Sequence, residues 1–124
     1  MSPRIDRLLA RARARLGHRP TVEELDGLVA DGALLVDIRR KELRDRDGQL
    51  PGAVVIDRNQ LEWRLDPTSG HSIPEMDHAD RSVVLVCDEG YASSLAAATL
   101  RDLGISNATD LDGGFQAWRL SRRA

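Results

Sequence analysis

One cysteine, Cys87, stands where thiolate chemistry is easy to place. It follows Ser82-Val83-Val84-Leu85-Val86, an apolar β-branched run that predicts a fully buried strand. It opens the loop Cys87-Asp88-Glu89-Gly90-Tyr91-Ala92, which runs into Ser93, Ser94 and an Ala- and Leu-rich helical pattern closed by Gly104. A helix start leaves backbone N–H groups without intrahelical partners, and the aligned peptide dipoles add partial positive charge there. A loop turned tightly at Gly90 and curling into Ser93 and Ser94 can aim those donors at one point above the sulfur. Such a cradle holds a thiolate, a persulfide or a small oxyanion. The plainer alternative is an inert cysteine that ends a core strand.

The loop's own charges work against ionisation of Cys87. At roughly 6–8 Å and an effective dielectric of about 20–40, Asp88 and Glu89 each cost a thiolate about 1–3 kcal/mol. The helix terminus offsets about 0.3–2 kcal/mol, and backbone hydrogen bonds add more. The opposing effects are of similar size. Compensating positive charge has two candidate sources, Arg39 and Arg58, each of which closely follows a predicted strand. Ordinary surface or structural pairing, such as Arg39 with Glu42, is the competing reading for both.

The elements that must position these residues can be read in order. Ile5, Leu8, Leu9, Ala12 and Leu16 recur at helical spacing in an arginine-rich segment, which predicts an amphipathic helix docked on the body, with its arginines solvated or paired with acidic groups. Thr21-Val22-Glu23-Glu24 is a capping box opening a helix that stops at Gly32. Leu34–Ile38 predicts a buried strand, Arg39–Arg44 a charged loop or short helix, and Asp47-Gly48 a turn. Residues 53–56 predict a strand and 58–65 a short helix in which Leu61 and Leu65 face inward and Trp63 packs. Residues 68–80 form a polar surface loop. A last strand at 108–111 and a helix at 114–122 burying Phe115 and Trp118 complete the chain. Strands alternating with helices imply an α/β domain with a parallel sheet and right-handed crossovers. Ligands of such sheets bind beyond the carboxyl ends of the strands, which gathers Cys87, Arg39 and Arg58 on one edge.

Composition sets further bounds. The 124 residues, 41% of them hydrophobic, suffice for one domain with a modest core. No apolar run approaches the ~20 residues of a membrane span. No secretory signal pattern is present, and a lone free thiol suits a reducing cytoplasm. Residues 1–20 carry six Arg and one acid, whereas the remainder carries 12 basic and 19 acidic side chains, so the body is a poor nucleic-acid ligand. His18, His71 and His78 with one Cys give no metal-ligand spacing, so neither a metal nor a cofactor is expected.

Four segments together resemble the rhodanese-like (sulfurtransferase) family. Cys87 to Ser94 resembles its Cys-x-x-Gly-x-x loop before a Ser-capped helix, and Asp37-Ile38-Arg39 its Asp-x-Arg signature. Pro51-Gly52-Ala53 resembles its turn, and Gly113-Gly114-Phe115-Gln116-Ala117-Trp118 its closing motif. The resemblance implies a three-layer domain over 21–124, a central parallel β-sheet flanked by helices, with the helix of residues 1–20 added. It implies a persulfide on Cys87, a substrate loop of Asp88, Glu89, Gly90, Tyr91, Ala92 and Ser93, a small or protein-bound sulfur donor, and a thiol acceptor. Many catalytically competent members carry basic residues in this loop. Asp88 and Glu89, pointing outward as the resemblance implies, would instead form a negative rim that disfavours thiosulfate. Two other readings use the same loop: a non-catalytic interaction or regulatory module, and a cysteine phosphatase. The phosphatase pattern requires an arginine where this chain has Ser93.

Overall fold

The computed structural model describes residues 2–122. β-Branched and leucine runs form four short strands: β1 (Leu34–Asp37), β2 (Val54–Val55), β3 (Val83–Val86) and β4 (Ala108–Asp110). They pair in parallel in the order β2-β1-β3-β4. In this register Asp37 lies opposite Val86 and Leu85 opposite Asp110, so the ends of β1, β3 and β4 come together next to Cys87.

Every residue of β1 and β3 is buried, which requires cover on both faces of the sheet. Period-two alternation divides them. Leu34, Val36, Val83 and Leu85 join one core with Leu61, Leu65, Ala96, Ala97 and Leu100. Leu35, Val84 and Val86 join the opposite core with Leu25, Leu111 and Phe115. The first face is covered by α1 (Arg4–Leu16), α4 (Leu61–Leu65) and α5 (Ala92–Asp102). The second is covered by α2 (Val22–Ala30) and α6 (Gly114–Ser121). Glu24 closes the expected capping box by accepting from the Thr21 N–H at 3.1 Å. The remaining helix, α3 (Lys41–Asp47), buries no residue. This is the α/β three-layer arrangement with a central parallel sheet.

Several local features differ from the sequence expectation. The strand at 53–56 contracts to β2. The helix at 58–65 divides into a 3-10 turn, Arg58–Gln60, and α4, because the Asp57 carboxylate accepts from the Asn59 N–H at 2.8 Å and tightens the entry. Trp63 is exposed rather than packed. Leu61 and Leu65 share the inward face of this one-turn helix, and a residue two positions along from Leu61 points away from it. In α1 only Ala12 and Leu16 are buried, while Ile5 and Leu8 remain exposed. No helix among the described residues is long and apolar enough to cross a membrane.

Candidate active site

Cys87 leaves the end of β3, and the chain turns through Gly90 into α5. Gly90 has φ +87°, and a Cβ there would stand 2.9 Å from the Gly113 nitrogen, so only glycine fits. The turn carries the Gly90 N–H back to Cys87 Sγ at 3.1 Å. The Ser93 N–H follows at 3.4 Å, and Ser93 Oγ lies 3.1 Å from the sulfur. Three groups thus converge on one largely buried sulfur.

The serines do not cap the helix as their position suggested. Helix α5 begins at Ala92 with Tyr91 at the cap, which places Ser93 and Ser94 in the first turn, fully buried. Their hydroxyls instead donate to Asp110 Oδ2 at 2.7 and 2.8 Å. Asp110 is itself inaccessible at the end of β4. Its charge is met by Arg19, whose Nε donates to Oδ1 at 2.8 Å and whose Nη2 donates to Oδ2 at 3.0 Å. That bidentate pair raises the Arg19 guanidinium above its already high ordinary value, chiefly through the hydrogen bond to Asp110. The same Nη2 donates to the Gly90 carbonyl at 2.9 Å, and Arg13 Nη2 reaches that carbonyl at 2.8 Å.

The closing Gly-Gly-Phe motif braces the loop from the opposite side. The Phe115 N–H donates to the Cys87 carbonyl at 2.8 Å, and the Gln116 N–H to the Asp88 carbonyl at 3.0 Å. The start of α6 therefore supplies hydrogen-bond donors to two loop carbonyls.

The loop side chains diverge. Asp88 Oδ1 accepts from Gln116 Nε2 at 3.0 Å and lies 3.9 Å from Arg46, so its charge is drawn toward α3 and α6. Glu89, Tyr91 and Ala92 are exposed, and Arg13 sits over the Tyr91 ring at 5.3 Å. A cleft of about 260 Å³ opens over Cys87, lined by Arg39, Arg40, Leu43, Asp88, Glu89 and Tyr91 among others.

Arg39 borders that cleft, yet its guanidinium is buried on Asp37, with Nη2 to Oδ2 at 2.8 Å, and not on Glu42. It stacks on Phe115 with Cζ 3.6 Å from the ring centroid, and its Nη1 is buried without a hydrogen-bond partner. Arg58 pairs with Glu62 at 2.8 Å and lines a neighbouring cleft of about 450 Å³. The structure thus brings Cys87, Gly90 and Ser93 together around the sulfur, leaves Asp88, Glu89, Tyr91 and Ala92 at the mouth, and sets Arg58 apart. Sequence reasoning missed Arg13, Arg19 and Asp110 beneath the loop. It also missed Arg40, which lines the mouth with its side chain exposed. The one available signal was Asp110, an acid in a short predicted strand, Ala108-Thr109-Asp110-Leu111.

The rhodanese-like domain profile matches residues 21–121. The chain belongs to the rhodanese-like domain family. It is 33% identical over 97 residues to the thiosulfate sulfurtransferase GlpE of Pseudomonas syringae pv. syringae, covering 78% of this chain and 82% of that one. A GlpE of Pseudomonas entomophila is 34% identical over 101 residues, covering 82% and 84%. Among solved structures, the human single-domain sulfurtransferase TSTD1 superposes with a TM-score of 0.71 at 28% identity, over 87% of this chain and all of that one. A Rhodopseudomonas palustris protein of unknown function, described as a possible tyrosine phosphatase, superposes with a TM-score of 0.84 at 31% identity, over 98% and 92%. These relatives make the chain a rhodanese-like sulfurtransferase homologue.

Proposed function

We propose that this rhodanese-like protein carries sulfane sulfur as a persulfide on Cys87 and passes it to a thiol. The observation that carries the reading is the convergence of the Gly90 and Ser93 N–H groups and the Ser93 hydroxyl on one sulfur below an open cleft. The two fixed N–H donors stabilise a thiolate before attack and the anionic persulfide after it without reorganising, and the Ser93 hydroxyl joins them once Cys87 has ionised.

With thiosulfate as donor, the Cys87 thiolate attacks the sulfane sulfur. A Cys87 S–S bond forms, the donor's S–S bond breaks, and sulfite leaves with the electron pair. An acceptor thiolate then attacks the terminal sulfur of the persulfide, and Cys87 departs as thiolate. Cys87 is the catalytic nucleophile, and Gly90 and Ser93 supply the stabilising donors. At the mouth, exposed Glu89 and the partly compensated Asp88 outweigh exposed Arg40, which Glu42 approaches at 3.9 Å, and so disfavour a small dianion relative to a neutral or protein-bound sulfur partner. Weak thiosulfate turnover follows from that arrangement.

The phosphatase description of the Rhodopseudomonas palustris relative does not carry over. The run Cys87–Ser93 contains no arginine to hold a transferring phosphoryl group, and its charged side chains are acidic. The test of the sulfur reading is intact mass after incubation with a sulfane donor. A gain of about 32 mass units, one sulfur atom, that is absent in Cys87→Ser supports it. An unmodified mass with several donors overturns it.

A further inference from the structure

The two cations on the back of the loop come from outside the segment that the family profile matches. Arg13 and Arg19 precede residue 21, and both donate to the Gly90 carbonyl, at 2.8 and 2.9 Å. Gly90 is therefore held at both ends, its N–H on Cys87 Sγ and its carbonyl on two guanidinium groups. In a planar trans peptide the N–H points opposite the carbonyl. The arginines accordingly fix the Tyr91 N–H to face away from α1, and they polarise it by drawing on the same amide.

Ser93 makes this arrangement sensitive to charge. Its hydroxyl has one proton and two takers, Cys87 Sγ at 3.1 Å and Asp110 Oδ2 at 2.7 Å. With Cys87 as a thiol, S–H donates to Ser93 Oγ, and the Ser93 proton points to Asp110. With Cys87 as a thiolate, the Ser93 proton turns to the sulfur. Asp110 then keeps the Ser94 hydroxyl at 2.8 Å and the Arg19 fork. An unpaired carboxylate in that buried place would hold the Ser93 proton and repel the thiolate.

We infer that Arg19 and Asp110 form a positioning pair that sets how readily Cys87 carries negative charge: Arg19 cancels, beneath the loop, the buried carboxylate that would otherwise hold the Ser93 proton and repel the thiolate. The other charged groups around the sulfur lie farther out or are already engaged. Asp88 is turned to Gln116 and Arg46, Glu89 is exposed, Arg39 is locked on Asp37, and Arg40 is exposed at the mouth. Behind the loop, Asp112 lies 3.2 Å from Arg19 Nη1 with its side chain largely exposed, and Arg13 covers the Tyr91 ring. The inference adds to the sulfurtransferase reading, and its readout does not require sulfur transfer.

The test is the pH dependence of Cys87 alkylation by iodoacetamide in the full-length protein, with persulfide mass measured separately. Arg19→Met removes the cation and should raise the pH midpoint by about one unit, while Asp110→Asn removes the anion and should lower it by a similar amount. The double variant should return close to the parent, and Arg19→Lys, which keeps the charge without the fork, should stay near it. Opposite shifts of the single variants support the pair. Unmoved midpoints, or shifts in the same direction, overturn it and leave only a structural tie. If Arg19→Met does not fold, Asp110→Asn decides alone: a lowered midpoint supports the inference and an unchanged one overturns it. A moved midpoint without any persulfide would sink the sulfur reading while sparing this one. A persulfide with unmoved midpoints would do the reverse.

Discussion

Gly114 lies directly beneath Cys87: a Cβ placed on Gly114 would stand 2.7 Å from the Cys87 carbonyl oxygen. The Gly90 nitrogen and the Asp88 carbonyl would be as close, at 2.7 and 2.8 Å, and all three neighbours are backbone atoms that cannot swing aside. Gly114 also has φ +61°, where a side chain is strained whatever the space. The closing motif is thus a packing surface for the cysteine loop, and its backbone reaches the loop only because Gly114 has no side chain.

Gly114→Ala should therefore displace α6 from the loop and break the bonds from the Phe115 and Gln116 N–H groups to the Cys87 and Asp88 carbonyls. The expected cost is about 2–4 kcal/mol of stability, with a large loss of Cys87 reactivity in whatever remains folded. Urea denaturation alongside thiol alkylation checks it. A variant of parental stability and reactivity would show that the loop does not depend on α6.

Ser93→Ala isolates the hydroxyl from the backbone donors. The Gly90 and Ser93 N–H contacts to the sulfur survive, while the third partner of Cys87 disappears. Persulfide formation should slow by about 10–150-fold, the worth of one hydrogen bond to a charged group. Ser94→Ala also removes a hydroxyl from Asp110 but touches no sulfur, so it serves as the control. Equal effects of the two substitutions would show that the Ser93 hydroxyl does not act on the sulfur directly.

The parts of this site that are local in sequence were legible, and those closed by long-range pairing were not. The strand ending in Cys87, the turn at Gly90 and the helix after it follow from apolar runs and glycine punctuation within some twenty residues. Arg19 and Asp110 lie 91 positions apart, and nothing in an arginine-rich amphipathic stretch separates a buried guanidinium from a solvated one. Ser93 and Ser94 read as caps because serine favours that position. Starting the helix at Ala92, with its cap at Tyr91, turned both hydroxyls inward, where Asp110 is the acceptor that decides their direction. Trp63 misled for the opposite reason, since large aromatics usually pack and the two inward places on α4 were already taken by leucines.

Reversing the charge at the mouth tests the acidic rim. Glu89 is exposed, so Glu89→Lys should raise thiosulfate kcat/KM several-fold at low ionic strength, with the gain shrinking as salt is added. Asp88→Asn should do less, because Gln116 and Arg46 already draw on that carboxylate. Thiosulfate kinetics at two salt concentrations decide the matter. A salt-independent gain, or a larger one at Asp88, would contradict the rim.

Asp47 ties the loop to its surroundings in a pH-dependent way. Its carboxyl is held down to about 2, first by the hydrogen-bonded Arg46 guanidinium and further by Gln116 and Arg119. Gln116 Nε2 bridges Asp47 Oδ2 and Asp88 Oδ1, both at 3.0 Å, so the anion at Asp47 steadies the side chain that orients Asp88. A carboxyl whose value is depressed on folding stabilises the native state above its unfolded value of about 3.9 and loses that contribution as pH falls toward the folded value. The stability difference between the parent and Asp47→Asn should therefore be greatest above about pH 4 and shrink on acidification to about pH 2. Urea denaturation midpoints at pH 5, 3 and 2 measure it. A difference constant across that range would mean that Asp47 acts through packing and not through its charge.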